Sequence, residues 1–230
     1  MVAGWWWQVT RGPVQVVPDG AVDLLWVSGH PPFLAGPDTA PQVARFRCGL
    51  TVVGVRLATG VAAAVLGDDV HHATDRRVDL AALLPTPAAT GLADRLEEAG
   101  ASGAGPEAAA ARVAAELAGW ATARVEARGR QWRPDPLVAD GVERLRRGEP
   151  LELHGLGERQ FRRRFVGAVG YGPAFYRRIV RLDRATDLLA RHPHRSLAEV
   201  AAEAGYSDES HLSRDAVALT GATPGRLRSA

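Results

Sequence analysis

Three arginines recur at helical spacing near position 160 and carry the clearest chemical signal in the chain. Arg159, Arg162 and Arg163 share one face of a predicted helix with Val166, at i, i+3, i+4 and i+7. A guanidinium bonds O6 and N7 of guanine together, and each good pair is worth about 1–3 kcal/mol of discrimination. The spacing therefore predicts a helix face that reads base edges in a major groove. A solvated arginine face, which is the commoner use of such a pattern, remains the alternative.

The helix that carries these arginines is predicted over Glu158–Ala168. Its opposite face has Phe161 and Phe165 at i and i+4, which directs both rings to a core. A longer helix follows over Pro173–Arg191, because proline is tolerated in the first turn of a helix. A further helix is predicted upstream over Pro136–Gly148. The arginine face thus has helices before and after it.

Capping signals define a second pair of helices nearer the C-terminus. Ser196 and Glu199 have the spacing of a capping box, and Gly205 is placed to end the short helix that follows. The next helix is predicted over Glu209–Leu219, with Asp208 or the serine before it as the cap. A helix, a glycine turn and a second helix at this spacing predict a helix-turn-helix.

A resemblance to a known family lies in these same residues. Gly205–Arg214 followed by Gly221–Pro224 resembles the C-terminal signature of the AraC/XylS family of bacterial transcription regulators. Glu158–Phe165 with Gly170–Pro173 is similar to the first recognition helix of that family and its closing turn. The resemblance covers about residues 136–228. It implies an all-α domain with two helix-turn-helix modules, which enter successive major grooves of double-stranded DNA about 34 Å apart.

The resemblance also implies which side chains contact DNA. Exposed positions of the two recognition helices are the candidates for DNA binding: Arg159, Arg162, Arg163, Arg164, Glu209, Ser210, His211 and Arg214. The long helix between the modules offers candidates for phosphate contacts: Arg177, Arg178, Arg181 and Arg184. Arg164 is also suited to a phosphate rather than a base.

Two segments depart from the family pattern. Leu151–Leu156 leaves room for one turn where the family has a longer scaffold helix, so the first helix-turn-helix is predicted to be truncated. Its recognition helix would be supported by Leu137, Val142 and Leu145 instead. Ala216–Ala218 stands where the family usually has a large apolar residue and then a basic one. These departures leave an alternative function open, namely a protein that sequesters a small molecule and has a degenerate DNA-binding domain.

Residues 1–88 predict a β-rich barrel or sandwich, because short Val- and Trp-rich runs alternate with turn signals. The predicted strands are Trp5–Thr10, Val14–Val17, Val22–Val27, Gln42–Cys48 and Val52–Leu57, with short helices at Gly60–Leu66 and Leu80–Leu84. Three stretches resemble the small N-terminal domain of one AraC-like subgroup: Val17–Leu24, Gly54–Leu57 and Thr74–Val78. That resemblance implies a fold and no chemistry.

Tryptophans are concentrated in this β-rich domain. Strand alternation places Trp5 and Trp7 on one face and Trp6 on the other. One hypothesis is an aromatic pocket for a planar, apolar or cationic effector, with acidic and basic anchors. Ordinary packing of the tryptophans is the alternative. The candidate effector-binding residues are Trp5, Trp7, Trp26, Asp19, Asp23 and Arg56.

Residues 89–133 change to a helical period and are predicted to be a helical connector. The helices are predicted over Thr90–Ala99 and Pro106–Ala127, with Ser102–Gly105 as a flexible joint. They could form a homodimer surface or simply fill the domain junction. Residues 134–230 then form the DNA-binding domain, so the predicted fold class is α+β.

The charge of the chain is unevenly distributed. All 28 basic residues are arginine, the net charge is +2 and the sequence pI is about 9.2. Residues 151–230 hold 13 Arg against 9 Asp and Glu, a net of +4. This excess in the C-terminal third favours a polyanionic partner.

Several function classes are disfavoured by the sequence. A single cysteine, Cys48, excludes a disulfide framework and a multi-cysteine zinc site, and it is predicted to be a buried structural thiol. His71 and His72 beside Asp68 and Asp69 are predicted to be a solvated loop, so no metal and no cofactor are expected. No catalytic motif stands out, and an enzyme built on the β-rich domain is the weakest alternative. Without an export signal or membrane span, the protein is expected in the cytoplasm.

Overall fold

The computed structural model describes residues 2–83, 86–101, 103, 105–129 and 132–228. A β-rich N-terminal part precedes an all-helical C-terminal part, which confirms the predicted α+β class. The strands are β1 (Val2–Val9), β2 (Val14–Val16), β3 (Asp23–Val27), β4 (Phe33–Ala35), β5 (Gln42–Ala44), β6 (Thr51–Leu57) and β7 (Arg77–Asp79). The helices are α1 (Val61–Leu66), α2 (Thr86–Ala101), α3 (Pro106–Glu126), α4 (Pro136–Arg147), α5 (Glu158–Val169), α6 (Pro173–Arg191), α7 (Leu197–Ala204), α8 (Glu209–Thr220) and α9 (Pro224–Arg228). Two 3₁₀ helices span Val70–Ala73 and Leu80–Leu83.

The N-terminal domain is built on a five-stranded sheet of order β1-β6-β3-β4-β7, whose neighbouring strands are antiparallel. Strands β2 and β5 form a separate two-stranded ribbon. One face of the sheet supplies Leu24, Val53 and Val55 to the first apolar core. The other face carries Asp23, Leu25 and Arg56, which lie toward the ribbon. The two faces therefore separate a packed core from a cleft.

Helices α2 and α3 belong to the N-terminal core. Leu92 and Leu96 of α2 and Val113 and Leu117 of α3 are buried in the same cluster as the sheet residues. The segment predicted as a connector thus packs on the sheet. Helix α2 begins at Thr86, before the predicted start. Two residues of the predicted joint, Ser102 and Ala104, lie outside the described residues, as does Leu84 of the predicted helix Leu80–Leu84.

The five helices from α4 through α8 share a second apolar core in the C-terminal part. Its largest fully buried side chains include Phe161, Phe165, Leu145, Leu189 and Leu212. Phe161 and Phe165 therefore occupy the predicted core face of α5. Within the described residues, none of the helices has the length and apolar character that a membrane crossing needs.

Three expectations for the N-terminal domain require correction. Val70–Ala73 is a 3₁₀ helix packed against α5 rather than a solvated loop, although His71 and His72 are exposed. Cys48 is exposed, so the prediction of a buried thiol is wrong. Strand β5 ends at Ala44, well before the predicted end, and β4 and β7 were not predicted.

Candidate nucleic-acid interface

Helices α7 and α8 form a helix-turn-helix whose ends are set by local hydrogen bonds. The Ser196 hydroxyl accepts from the Glu199 amide, and Glu199 Oε2 accepts from the Ser196 amide at 2.9 Å, which completes the capping box. Gly205 ends α7 in the left-handed region, at φ 85°. Asp208 caps α8 by accepting from the His211 amide at 2.7 Å, and this hydrogen bond holds the pKa of Asp208 below its ordinary value.

Helix α8 is anchored to α6 by a buried carboxylate. Asp215 is 4% exposed and lies 3.0 Å from Arg178 and 3.8 Å from Arg181. Arg181 also stacks over the Tyr206 ring, with 4.7 Å to the ring centroid. A buried carboxylate needs such partners because an unpaired buried charge is strongly unfavourable.

These contacts alter the predicted phosphate contacts. Arg178 and Arg181 are engaged with Asp215, and Arg184 donates to the Arg146 carbonyl at 3.1 Å near the end of α4. Three of the four arginines assigned to phosphates thus bind the protein itself. Arg177, by contrast, is exposed on α6.

The exposed face of α8 contains most of the predicted residues and one that the sequence reasoning missed. Glu209, Ser210 and Arg214 are exposed, whereas His211 is half-buried beside Ser207. Val217 is 49% exposed. The sequence pattern identifies it only as part of Ala216–Ala218, the segment that lacks the large apolar and basic residues usual in the family. Its spacing of three residues from Arg214 and seven from Ser210 places it on the same stripe, and this spacing could have identified it.

Helix α5 has a different support from α8. Its N-cap, Gly157, provides no side-chain bond, and Leu151–Leu156 forms a single turn rather than a helix. Helix α4 lies close to α5 instead: a Cβ on Gly141 would be 2.8 Å from the Phe161 ring. Val142 and Leu145 of α4 are buried in the same core, as expected, and Leu137 is half-buried.

The arginine face of α5 is exposed. Arg159, Arg162 and Arg163 have no hydrogen bond or ion pair with any residue that the structure describes. Arg164 is the exception, with its Nη1 atom 3.5 Å from Asp135 Oδ2. Guanidinium groups without protein partners keep their donors available for an external acceptor.

The C-terminal ends of both recognition helices contact the N-terminal domain. The Thr74 hydroxyl donates to the Gly170 carbonyl at 3.0 Å, and Gly170 also lies against Pro37. At the end of α8, the Gln15 side-chain amide donates to the Thr220 carbonyl. The N-terminal turns, from which recognition helices contact base edges, remain accessible in both helices.

A groove of about 780 Å³ runs between α5 and the 3₁₀ helix Val70–Ala73. Its walls include Arg159, Arg162 and Arg163 on one side, with Asp69 and His71 on the other. The arginine face is thus open to solvent but flanked by the N-terminal domain along one side.

A second concave site lies within the N-terminal domain, between the sheet and the β2–β5 ribbon. It has a volume of about 660 Å³, and Asp19, Asp23 and Arg56 line it, as the effector hypothesis expected. Arg56 Nε donates to Asp23 Oδ1 at 3.0 Å, and this bond raises the pKa of Arg56.

The tryptophans of this cleft differ from the expected set. Trp5 and Trp7 pair with Val55 and Val53 of the core face, and Trp26 is 3% exposed in that core. These three side chains therefore lie on the far side of the sheet from the cleft, because paired residues share a face. Trp6 lines the cleft instead. Strand alternation placed Trp6 on the opposite face from Trp5 and Trp7, but it could not show which face of the sheet would line the cleft.

The capped pair α7 and α8, anchored on α6, forms a helix-turn-helix, and α5 adds an exposed arginine face. Residues 152–230 match the helix-turn-helix domain family. Residues 2–79 match a domain of unknown function, DUF6597. No match was found among curated proteins.

Solved structures of ToxT from Vibrio cholerae are similar to the chain. An apo ToxT variant from strain SCE256 has 8% identity and a TM-score of 0.46, with 98% of this chain and 96% of that chain covered. ToxT from strain O395 has 8% identity and a TM-score of 0.44, with 98% and 95% covered.

Proposed function

We propose that the chain is a sequence-specific DNA-binding regulator that places α5 and α8 in successive major grooves. The observation that carries the proposal is the exposed face of α5, where Arg159, Arg162 and Arg163 have no hydrogen-bond or ion-pair partner among the described residues. Other guanidinium groups nearby, such as those of Arg178 and Arg181, are bound within the protein. An unpaired arginine fork at a recognition helix is suited to guanine.

The two helices contribute different contacts in this proposal. Helix α5 supplies arginine forks to guanines, whereas α8 supplies Ser210, Arg214 and the exposed Val217, which suits a thymine methyl group. Glu209 can accept from a cytosine amino group, and His211, held by Ser207, would act more as a support than as a reader. Arg164 and Arg177 remain the candidates for phosphates.

Selection of bound sequences from a random DNA pool, followed by footprinting, tests this proposal. We expect two short boxes per protomer about 34 Å apart. Arg162→Ala and Arg214→Ala should each lower the affinity for the selected DNA by about 5- to 150-fold and relax the preference at one box only. Arg95→Ala is the charge-matched control, since Arg95 pairs with Glu116 in the N-terminal domain.

The salt dependence of binding distinguishes the alternative function. A working DNA-binding domain should lose affinity with a log–log slope of about −0.9 for each phosphate neutralised. The absence of binding at low salt would contradict the proposal and favour a small-molecule-sequestering protein with a degenerate DNA-binding domain. A footprint over one box would show that α5, which lacks a scaffold helix, does not engage.

Effector control and dimerisation are further parts of the proposal. A small molecule in the cleft between the sheet and the ribbon would shift the population of DNA-competent domain arrangements. A second copy would pair along β1, one of the two edge strands of the sheet, which has no charged residue over Val2–Val9 to oppose pairing. Palindromic pairs of boxes among the selected sequences would support a dimer. Such a regulator would act where bacterial DNA is held, in the cytoplasm.

A further inference from the structure

One wall of the cleft in the N-terminal domain is the indole ring of Trp6, which lies flat against the sheet. Trp6 lies on the cleft face of β1, directly over Gly54 of β6, and its indole ring occupies the space that a Cβ on Gly54 would need. Leu25, Phe33 and Phe46 extend this apolar surface. The cleft can therefore stack a flat ring system on the indole.

The polar wall of the cleft carries an excess of negative charge. Four carboxylates line it, against the two guanidinium groups of Arg56 and Arg77. Arg77 forms a two-bond fork with Asp38, at 3.0 and 2.8 Å, and Arg56 forms another with Asp23, at 3.0 Å for both bonds. These two carboxylates are neutralised by their partners.

Two carboxylates hold the remaining charge. Asp19 accepts from the neutral Ala21 amide at 3.0 Å, and the Arg56 Nη2 atom that it also contacts already serves Asp23. Asp75 accepts from the Thr39 amide and hydroxyl, at 2.7 and 2.6 Å, and both donors are neutral. Asp75 is held in the left-handed region, at φ 58°, a conformation uncommon outside glycine. The surplus charge thus lies at two fixed points of the cleft wall.

We propose that this cleft binds an organic cation with a flat apolar body, which stacks on Trp6 and directs its positive charge to Asp19 and Asp75. A cation over a tryptophan face is favourable, and carboxylates at the rim select against anions. The volume of about 660 Å³ is in the range of small-molecule sites. The inference names the class of ligand for the proposed effector control. It rests on that proposed function only for the effect of the ligand on DNA binding.

The same cleft walls contact the DNA-binding domain. Gly20 follows Asp19, and a Cβ there would be 2.7 Å from the Tyr176 ring. Gln15 belongs to the ribbon and donates to the Thr220 carbonyl at the end of α8. A cation that pairs with Asp19 or displaces the ribbon therefore perturbs residues that contact α6 and α8.

Dyes that share a flat fused-ring body and differ in charge test the inference by fluorescence anisotropy, without DNA. Rhodamine 6G is a monocation with a flat xanthene body, fluorescein is an anion with the same body, and Nile red is a neutral fused-ring dye. We expect rhodamine 6G to bind at least about tenfold more tightly than Nile red and fluorescein not to bind. Equal binding of rhodamine 6G and Nile red, tightest binding of fluorescein, or no binding of rhodamine 6G would each overturn the inference.

Substitutions locate the site. Trp6→Ala should weaken rhodamine 6G binding about tenfold or more, and Trp6→Phe, which keeps an aromatic face, should weaken it less. Asp19→Asn combined with Asp75→Asn should weaken rhodamine 6G about tenfold but leave Nile red unchanged. Trp5→Ala, on the opposite face of the sheet, is the matched control. Unchanged rhodamine 6G binding in Trp6→Ala, or an equal loss in Trp5→Ala, would contradict the assignment to this cleft.

The outcome is separable from that of the proposed function. A chain that binds rhodamine 6G in the cleft but no DNA at low salt would retain this inference and refute the regulator proposal. A chain that binds DNA in two boxes but not the cationic dye would do the reverse.

Discussion

The two recognition helices differ in how they are held and in what they present. Helix α8 has a complete partner in α7, a side-chain cap and a buried anchor at Asp215, but a single exposed arginine, Arg214. Helix α5 follows a single turn at Leu151–Leu156 in place of a scaffold helix and has no side-chain cap, yet it presents three guanidinium groups without partners in the described part of the chain. Exposed positive charge is therefore concentrated on the helix with the weaker local support.

The N-terminal domain compensates for part of this weakness. Thr74 and Pro37 contact Gly170 at the end of α5, and Asp69 lies against Gly167 within it. Helix α8 accepts one such hydrogen bond at its last residue, Thr220, from Gln15, as far as the described residues show. The comparison suggests that α5 depends on its contact with the N-terminal domain, whereas α8 is stabilised within the C-terminal domain.

The largest expected effect comes from the anchor of α8. Asp215→Asn should lower the free energy of unfolding by about 2–3 kcal/mol, because Arg178 and Arg181 lose the charge of their buried partner. Urea denaturation followed by circular dichroism measures the loss. Asp187→Asn is the control, because the Asp187–Arg191 pair is largely exposed and should contribute under about 0.5 kcal/mol. Similar small losses in both variants would show that α8 is not held by this anchor.

Local signals explain why the helix-turn-helix was predictable from sequence. The capping box of Ser196 and Glu199 and the terminal glycines act over three or four residues, so the sequence placed α7 and α8 closely. Strands β4 and β7 have three residues each and depend on pairing, of β4 with β3 and of β7 with β4, which no local signal in the sequence reveals. The 3₁₀ helix Val70–Ala73 is likewise packed against the distant helix α5.

The site residues divide in the same way. The face of α5 follows from helical period, so the exposure of Arg159, Arg162 and Arg163 was predictable. The partners of Arg178 and Arg181 were not, because Asp215 is brought to them only when α8 packs on α6. Sequence period assigns a side chain to a face, but tertiary contacts decide whether that face is free.

The terminal glycines of α5 and α7 give the second comparison. A Cβ on Gly170, at φ 98°, would collide with Pro37 and lie 3.0 Å from the Thr74 hydroxyl, whereas a Cβ on Gly205 would meet only the Arg181 side chain, at 3.6 Å. Gly170→Ala should therefore lower the free energy of unfolding by about 2 kcal/mol, and Gly205→Ala by about 1 kcal/mol.

Hydrogen exchange separates the two glycines further. Gly170→Ala should raise amide exchange in the 3₁₀ helix Val70–Ala73, because the contact between the domains is lost. Gly205→Ala should leave that segment unchanged, since its surroundings lie within the C-terminal domain. Unchanged exchange in Gly170→Ala would contradict the dependence of α5 on the N-terminal domain.

The smallest expected effect is the acid sensitivity of the α8 cap. Because the His211 amide donates to Asp208, the pKa of Asp208 in the folded protein lies below its ordinary value of about 4. The folded state therefore binds this proton more weakly than the unfolded state. The contribution of the cap to stability is complete above the ordinary value and is lost as the pH falls through the lower, folded value. Amide protection of His211 should accordingly decrease on acidification.

Asp208→Asn isolates this titration from other acid effects. Asparagine keeps a capping oxygen but has no carboxylate to protonate, so protection of the His211 amide should become independent of pH in this range. At the start of α5, Gly157 contributes no side chain, and the Phe161 amide bonds the Gly157 carbonyl at 3.0 Å. Its protection should therefore be alike in the parent and the variant. An identical pH response of His211 in both proteins would show that Asp208 does not govern the cap, and that the two recognition helices begin with equal sensitivity to acid.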